Sequence, residues 1–355
     1  MSNMDLGLEK ILINKELPIK EAIKVLDTTA KKILFVVDED KKLIGTITDG
    51  DIRRWILKNG DFNKESANIM NGNPVFLFNS EKSKANDVLI KNQIEALPIL
   101  NNKMQIEDVV FLNLKTDVHV NKKLELPNKV VIMAGGKGTR LYPYTKILPK
   151  PLIPIGEYSI IERIINNFVK YGFKNFDFTV NYKKNMIKAY FDELERNYEI
   201  NYIEEEKFLG TAGSLFLLKD KIQDTFFVSN CDILVQADYL DILKYHKEQK
   251  NKITMVTSLK NYTIPYGIIK LNNNGEVCET KEKPELSYLV NTGFYLLEPE
   301  VLCDIPENIF FHMTDLINKY IAEGKKVGTY PVTENSWLDM GELKEMDRMI
   351  ERLGL

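Results

Sequence analysis

Residues 130–151 read Val130-Val-Ile-Met-Ala-Gly-Gly-Lys-Gly-Thr-Arg-Leu-Tyr-Pro-Tyr-Thr-Lys-Ile-Leu-Pro-Lys-Pro151. The opening run VVIMA is of strand length and bounded by turn residues. It stops at Ala134, and Gly135, Gly136 and Gly138 follow at once. Glycines leave their backbone amides bare, so the chain can approach phosphate oxygens closely. Lys137, Arg140 and Lys150 add three cations to the same short stretch, which suits a polyphosphate. In an open α/β sheet, ligands bind beyond the carboxyl ends of the strands, where such a loop would lie. Two better-known phosphate loops do not fit. The G-x-G-x-x-G fingerprint needs a glycine where Leu141 stands, and Gly-Lys-Gly-Thr does not satisfy G-x-x-x-x-G-K-[ST]. The competing reading is a glycine turn with solvated charges.

Downstream of this loop, strand and helix patterns alternate. SIIERIINNFVKYG puts Ile160, Ile161, Ile164, Ile165, Phe168 and Val169 on one helical face. NFDFTVN, YEINYIE and DTFFVSN read as strands; KNMIKAYFDELER, AGSLFLLKD and DYLDILKYHKEQ read as helices. The βαβα order predicts an α/β fold with a parallel sheet and helices on both faces. KITMVTSLK, GIIKL and LVNTGFYLL have shorter connections and suggest an antiparallel layer inserted over that sheet, with a last helix from Gly341 to Leu355. Asp232 follows the apolar strand FFV, and Asp339 lies between apolar residues just before this helix. A carboxylate at each place could hold Mg²⁺, which is bound by one or two carboxylates together with substrate phosphates. Either aspartate could instead be a turn or helix-cap residue.

Upstream, residues 1–120 read as a small α/β module. Ile19, Ala22, Ile23 and Leu26 share a helical face, ILFVVDEDKKLIGTIT makes two strands with a charged turn, and a helix opens at Asp51. A looser second copy starts near Asn68, so the module is a weak internal repeat. The polar stretch 121–128, with Pro127, reads as a linker to a domain spanning 129–355.

Six ordered pieces of the second half resemble the sugar-1-phosphate nucleotidyltransferase (NDP-sugar pyrophosphorylase) family: residues 134–151, Glu206–Gly213, Ser229–Asp232, Tyr266-Gly267 with Glu282–Pro284, Asn291–Gly293, and Trp337–Gly341. The resemblance implies a Rossmann-like, GT-A-like mixed sheet and the reaction of a nucleoside triphosphate with a sugar 1-phosphate to give a nucleotide sugar and pyrophosphate. It implies nucleotide contacts at Ala134, Gly135, Gly136, Gly138, Thr139, Gly210, Thr211 and Ala212, and sugar-phosphate contacts at Gly267, Glu282, Asn291 and Thr292. Arg140, Lys150 and Lys283 would be the catalytic cations, and Asp232 and Asp339 the Mg²⁺ ligands. Gly45-Thr-Ile-Thr-Asp-Gly-Asp51 resembles the end of a CBS motif, implying an N-terminal CBS pair in which Thr48 and Asp51 hold an adenine nucleotide. The second copy reads NNKMQIEDVVFL where the glycine-threonine-aspartate turn should follow, so it is degenerate, and a pair used only for packing or dimerisation stays open. Leu209-Gly-Thr-Ala-Gly213 and Pro149-Lys-Pro151 look more like the guanylyl than the thymidylyl branch. A CBS pair ahead of such a transferase resembles the glucosamine-1-phosphate guanylyltransferases of legionaminic acid synthesis, with GTP as the expected nucleotide. Mannose-1-phosphate guanylyl and glucose-1-phosphate thymidylyl transfer are alternatives. Both domain families commonly associate, so at least a homodimer is expected.

Composition narrows the classes further. At 355 residues, two or three domains are expected. With 44% hydrophobic and 28% charged residues, disordered and collagen-like chains are excluded. The net charge of -3 offers no basic excess for nucleic acid. Cys231, Cys278 and Cys303 have no CxxC spacing, which excludes a thiolate zinc site and fits a reducing cytoplasm. His119, His246 and His312 are isolated, which argues against a histidine metal site. No basic leader or apolar run of about 20 residues is visible, so neither export nor a membrane partner is expected. Two other classes remain at this stage: a silent nucleotide-sensing partner, and a nicotinamide-dependent oxidoreductase, against which Leu141 argues.

Overall fold

The fold was obtained as a computed structural model, which describes residues 8–29, 31–92, 94–112 and 125–355. The chain divides into two compact units, residues 1–122 and 123–355. His119 lies outside the described residues.

The first unit holds two three-stranded sheets of the same order. In one, Leu12–Asn14 runs parallel to Ile33–Val37, which pairs antiparallel with Leu43–Thr48. In the other, Leu77–Phe78 runs parallel to Ala96–Leu100, which pairs antiparallel with Ile106–Phe111. The repeat that is faint in the sequence is plain in the strand order. Helix Ile19–Thr29 buries Ile19, Ala22, Ile23 and Leu26, the four positions that the 3.6-residue period selects. The next helix starts at Asp49 rather than Asp51, because Thr48 caps it: the Thr48 N–H and Oγ1 both donate to Asp51 Oδ2, at 2.8 and 2.7 Å.

The second unit is built on a seven-stranded sheet in the order 199–204, 175–180, 130–134, 226–230, 285–297, 253–263, 327–332. The first four strands are mutually parallel. Strand Glu285–Leu297 is antiparallel to both of its neighbours. The sheet is covered on both faces. Val130 and Ile132 pack with Ile161, Ile165 and Phe168 of helix Ile160–Lys170, while Val131 packs with Ala212, Leu215 and Tyr320. The alternation follows from the pleat, which sends successive side chains to opposite faces.

The antiparallel strands correct one expectation. Ile253–Thr263 and Glu285–Leu297 do not form a layer over the sheet; they extend it. Residues 292–297 are all buried, an unbroken run that only an interior strand covered on both faces can use. Of the strands expected in that layer, Ile268–Leu271 stands apart, paired with Val277–Lys281 as an exposed two-stranded ribbon. The linker expected over 121–128 lies partly outside the described residues. From 125 onward the chain is packed in the second unit, where Leu126 bridges Phe173 and Asn128 Nδ2 donates to Thr225 O at 2.7 Å. No helix among the described residues is long and apolar enough to cross a membrane.

The four parallel strands all end at one edge, and this edge positions the site. Ala134, Val180, Glu204 and Asn230 close these strands, so the loops after them converge. A short antiparallel pair, Ile233–Val235 with Trp337–Asp339, brings the distant Asp339 opposite Ile233 and beside Asp232.

Candidate functional site

Two cavities of about 310 Å³ each open at this edge. Gly135, Gly136, Gly138, Thr139, Lys150 and Gly210 line the first. Asn291, Thr292, His312, Trp337 and Asp339 line the second. Arg140, Thr211, Asn230 and Asp232 line both, so the two lobes meet at an arginine and an aspartate.

Charge is concentrated at that meeting point. Lys150 Nζ is ion-paired with Asp232 Oδ2, and the two side chains are only 12% and 11% exposed. The Met340 N–H donates to Asp232 O at 2.8 Å, tying the Asp339 segment to the Asp232 strand end. Burial raises the Asp339 carboxyl to about 6, and the neighbouring Asp232 charge adds to this; Lys150, the Gly341 N–H and Arg140 pull the other way.

The glycine loop folds around its backbone. Gly138 has φ +65°, and a Cβ there would lie 3.0 Å from both Lys150 Cβ and Thr145 Cγ2, so this turn has room only for glycine. Thr145 Oγ1 donates to Gly138 O at 2.8 Å. Lys183 Nζ donates to the Lys146 and Ile147 carbonyls, at 2.6 Å each, closing the open end of the short helix Tyr144–Ile147.

The loop at 209–213 is clamped by the segment before helix Met313–Ala322. The Phe311 N–H donates to Leu209 O at 2.9 Å, and the Ala212 and Gly213 N–H groups donate to Phe311 O at 3.0 Å. The Met313 N–H donates to Thr211 Oγ1 at 2.9 Å. Glu205 lies beneath this loop and lines the first cavity. It is 4% exposed, its Oε2 accepts the Leu209 N–H at 3.1 Å, and burial pushes its carboxyl up. Its Oε1 lies over Gly135, where a Cβ would come within 2.6 Å of it.

The expected site residues divide into groups. Gly135, Gly136, Gly138, Thr139, Arg140, Lys150, Gly210, Thr211, Asp232, Asn291, Thr292 and Asp339 come together in the two linings. Ala134 and Ala212 are core residues, and the Ala212 N–H is already used by Phe311 O. Thr292 Oγ1 donates to Val256 O at 2.7 Å, and Asn291 Nδ2 to Tyr295 Oη at 2.8 Å. Gly267, Glu282 and Lys283 are exposed and lie outside both linings. Thr48 and Asp51 sit together in the first unit, with Asp51 Oδ1 paired to Arg54 Nη2 at 2.5 Å.

Sequence reading missed Glu205, Lys183, Asn230 and His312. Glu205 is the middle one of three consecutive acids and nothing local singles it out; Asn230 lies within the piece Ser229–Asp232, where only the aspartate has an expected role, and Lys183 and His312 carry no motif. Among the described residues no group of three or more His, Cys, Asp or Glu could cage a metal. The candidate ligand set is the Asp232 and Asp339 pair, which fits a hard cation that takes one or two carboxylates and its remaining ligands from phosphates and water.

Comparison with known proteins gives the same outline. The nucleotidyl transferase pattern matches residues 129–353, and the CBS domain pattern matches residues 9–58. The chain is 31% identical to a UTP–glucose-1-phosphate uridylyltransferase of Synechocystis sp., over 61% of this chain and 61% of that protein. It is 29% identical to a mannose-1-phosphate guanylyltransferase catalytic subunit beta of Dictyostelium discoideum, over 61% of this chain and 62% of that one. The chain thus spans about three-fifths of the length of these curated relatives. Among solved structures, HddC from Yersinia pseudotuberculosis has the same fold, with a TM-score of 0.51 and 22% identity, over 64% of this chain and 99% of that one. With the glycine loop, the strand-end aspartate and the second aspartate on one sheet edge, and the family pattern running from residue 129 to 353, the chain belongs to the nucleotidyl transferase family.

Proposed function

We propose that residues 129–355 join a nucleoside triphosphate to a sugar 1-phosphate and release pyrophosphate. The observation that carries this is the meeting of two lobes at Arg140 and Asp232, with Lys150 of the first lobe ion-paired to Asp232: the first lobe is lined by glycine backbone and the second by polar side chains such as Asn291, Thr292 and Asp339. In this reading a phosphate oxygen of the sugar phosphate forms a bond to the α-phosphorus, the bond from that phosphorus to the bridging oxygen breaks, and pyrophosphate leaves. A phosphate monoester is largely ionised at neutral pH, since its second pKa is about 6, so the nucleophile needs no general base. The chain then supplies position and charge. Gly135, Gly136, Gly138 and Thr139 cradle the triphosphate, Arg140 takes the β- and γ-phosphates, and Lys150 faces the α-phosphoryl group. Lys283 reaches the sugar phosphate from its exposed segment. Asp232 and Asp339 would hold Mg²⁺, which when bound neutralises charge on the phosphates.

The base is proposed to be guanine, on the strength of Glu205. A carboxylate accepts hydrogen bonds and donates none. Guanine presents adjacent N1–H and N2–H donors to it, whereas uracil and thymine present one N–H flanked by two keto oxygens. The sugar is proposed to be glucosamine 1-phosphate, giving GDP-glucosamine for legionaminic acid synthesis, because the CBS-first architecture resembles the enzymes of that route. The same proposal includes an adenine nucleotide at Thr48 and Asp51, and a cytoplasmic homo-oligomer of at least two chains, which light scattering tests.

The deciding experiment is pyrophosphate release with Mg²⁺, crossing GTP, UTP, dTTP, CTP and ATP with glucosamine, N-acetylglucosamine, glucose and mannose 1-phosphates. GTP with glucosamine 1-phosphate is expected to be the productive pair, and Asp232→Asn to remove most of that turnover while leaving the fold. Turnover with another pair corrects the substrate. A grid without turnover, in a protein that binds nucleotide, replaces the enzyme with a sensing partner.

A further inference from the structure

Thr179 is a buried threonine that the reaction scheme does not use. It is 1% exposed and sits on strand Asn175–Val180, where it pairs across the sheet with Met133 on one side and Ile203 on the other. Its Oγ1 has no hydrogen-bond partner among the described residues. Burying an unpaired hydroxyl carries a free-energy cost that a valine of the same shape would avoid. Thr179 also lines the first cavity, with Glu205, Gly135 and Met133.

The register tells how Thr179 and Glu205 are related. Paired residues of neighbouring parallel strands point to the same face, and residues two apart on one strand do too. Ile203 pairs with Thr179, and the strand ends at Glu204. Glu205 follows directly, its N–H still donating to Val180 O at 2.9 Å, and its Oε1 lies over Gly135, so its carboxyl is on the Met133, Thr179 and Ile203 face, beyond Thr179. That face is the one covered by the 209–213 loop, because Met133, Ile203 and Ala212 share a core cluster there. One wall of the lobe therefore carries an acceptor, the Glu205 carboxylate, beyond an unpaired hydroxyl.

We propose that Thr179 reads the base: its hydroxyl donates to the keto oxygen that adjoins the N–H edge accepted by Glu205. In guanine that oxygen is O6, next to N1–H. Adenine and cytosine carry an amino group at the corresponding place and an unprotonated ring nitrogen beside it, so they would face Glu205 and Thr179 with the wrong groups. The inference rests on the first cavity being the nucleotide lobe, and it adds a second, independent contact to the choice of base.

The test is steady-state kinetics on the full chain with Thr179→Val and Thr179→Ser. Valine keeps the shape and removes the hydroxyl. The Michaelis constant for GTP is expected to rise roughly five- to tenfold, the worth of one uncharged hydrogen bond. Turnover at saturation and the Michaelis constant for the sugar phosphate should stay within about twofold, because the contact is to the base alone. The melting temperature should be unchanged or higher, since an unpaired hydroxyl has been removed. Serine should restore the GTP constant. A GTP constant that does not move in the valine variant overturns the inference, and so does one that moves without rescue by serine, which would mean a packing role. If the wild type uses UTP or dTTP instead, the guanine reading fails. Thr179 is then judged on that nucleotide, whose keto O4 also adjoins an N–H. Wild-type preference for ATP or CTP overturns both.

Discussion

Glu205 couples two parts of the site through one carboxyl group. Oε2 holds the Leu209 N–H, and with it the start of the 209–213 loop, while Oε1 lies over the glycine loop at Gly135. The lack of a Cβ at Gly135 is what lets a side chain from an outer strand reach over to the central one. Asp49, in the first unit, has the opposite circumstance: its Oδ1 is buried without a hydrogen-bond partner among the described residues. Burial raises this carboxyl from 3.8 to about 6, against the pull of Lys32 and Arg53. A raised acid favours the protonated form in the folded state. Its stabilising contribution is complete below about 3.8 and is lost as the pH rises through about 6. Asp49→Asn should therefore make the first unit more stable at pH 8, by about 1 kcal/mol once the lost helix N-terminal charge is set against it, and should matter little at pH 4. Thermal unfolding of wild type and variant at both values checks this; a difference that does not grow with pH removes the argument.

Among the elements, the clamp between 209–213 and 309–313 shapes the first lobe, and Gly210 and Gly213 are its two tightest points, each with a backbone carbonyl 2.7 Å from where a Cβ would sit. Gly210 has φ +81°, and an added Cβ would lie 2.7 Å from Phe311 O. A backbone carbonyl cannot rotate away as a side-chain tip would. Gly210→Ala should therefore cost about 1–3 kcal/mol of stability, combining backbone strain with the clash, and weaken nucleotide binding more than sugar-phosphate binding. Melting temperature and the two Michaelis constants measure both effects, and an equal rise in the two constants would argue against the clamp as a nucleotide-lobe element. How far such features were legible in the sequence follows from their range. The glycine loop, Asp232 and helix Ile160–Lys170 are written in contiguous residues with a local period or motif, and the structure has each where the sequence reading put it. The clamp joins residues about a hundred positions apart mainly through backbone groups, which every residue carries, with Thr211 Oγ1 adding a side-chain contact, so no side-chain pattern announces it. Glu205 escaped for a related reason: its burial depends on the glycine two strands away. The shorter connections around KITMVTSLK, GIIKL and LVNTGFYLL suggest a separate layer, but connection length does not tell a layer from an extension of the sheet; the buried run 292–297 shows that this strand belongs to the main sheet.

For the whole molecule, the division into two units sets what each can do alone. Among the described residues, all those lining the two cavities belong to 123–355. A nucleotide held at Thr48 and Asp51 would have to enter a cluster that is already satisfied. Asp51 Oδ2 accepts from both the backbone and the hydroxyl of Thr48, and Oδ1 is paired with Arg54. A ribose hydroxyl could displace Arg54, whose side chain is 66% exposed, provided it takes over the hydrogen bond to the buried Asp51 carboxylate, which is 10% exposed. Displacing the capping contacts would cost about 1 kcal/mol. The sharing of Asp51 with Arg54 therefore predicts that Arg54→Ala binds an adenine nucleotide at least as tightly as wild type, whereas Asp51→Ala loses binding and also destabilises helix Asp49–Leu57. Calorimetric titration of the full chain with AMP, ADP and ATP reads the first effect, and unfolding reads the second. Unliganded turnover should stay within about twofold in both variants. Binding that survives Asp51→Ala would leave Asp51 as a helix cap, and the first unit as a packing or dimerisation module.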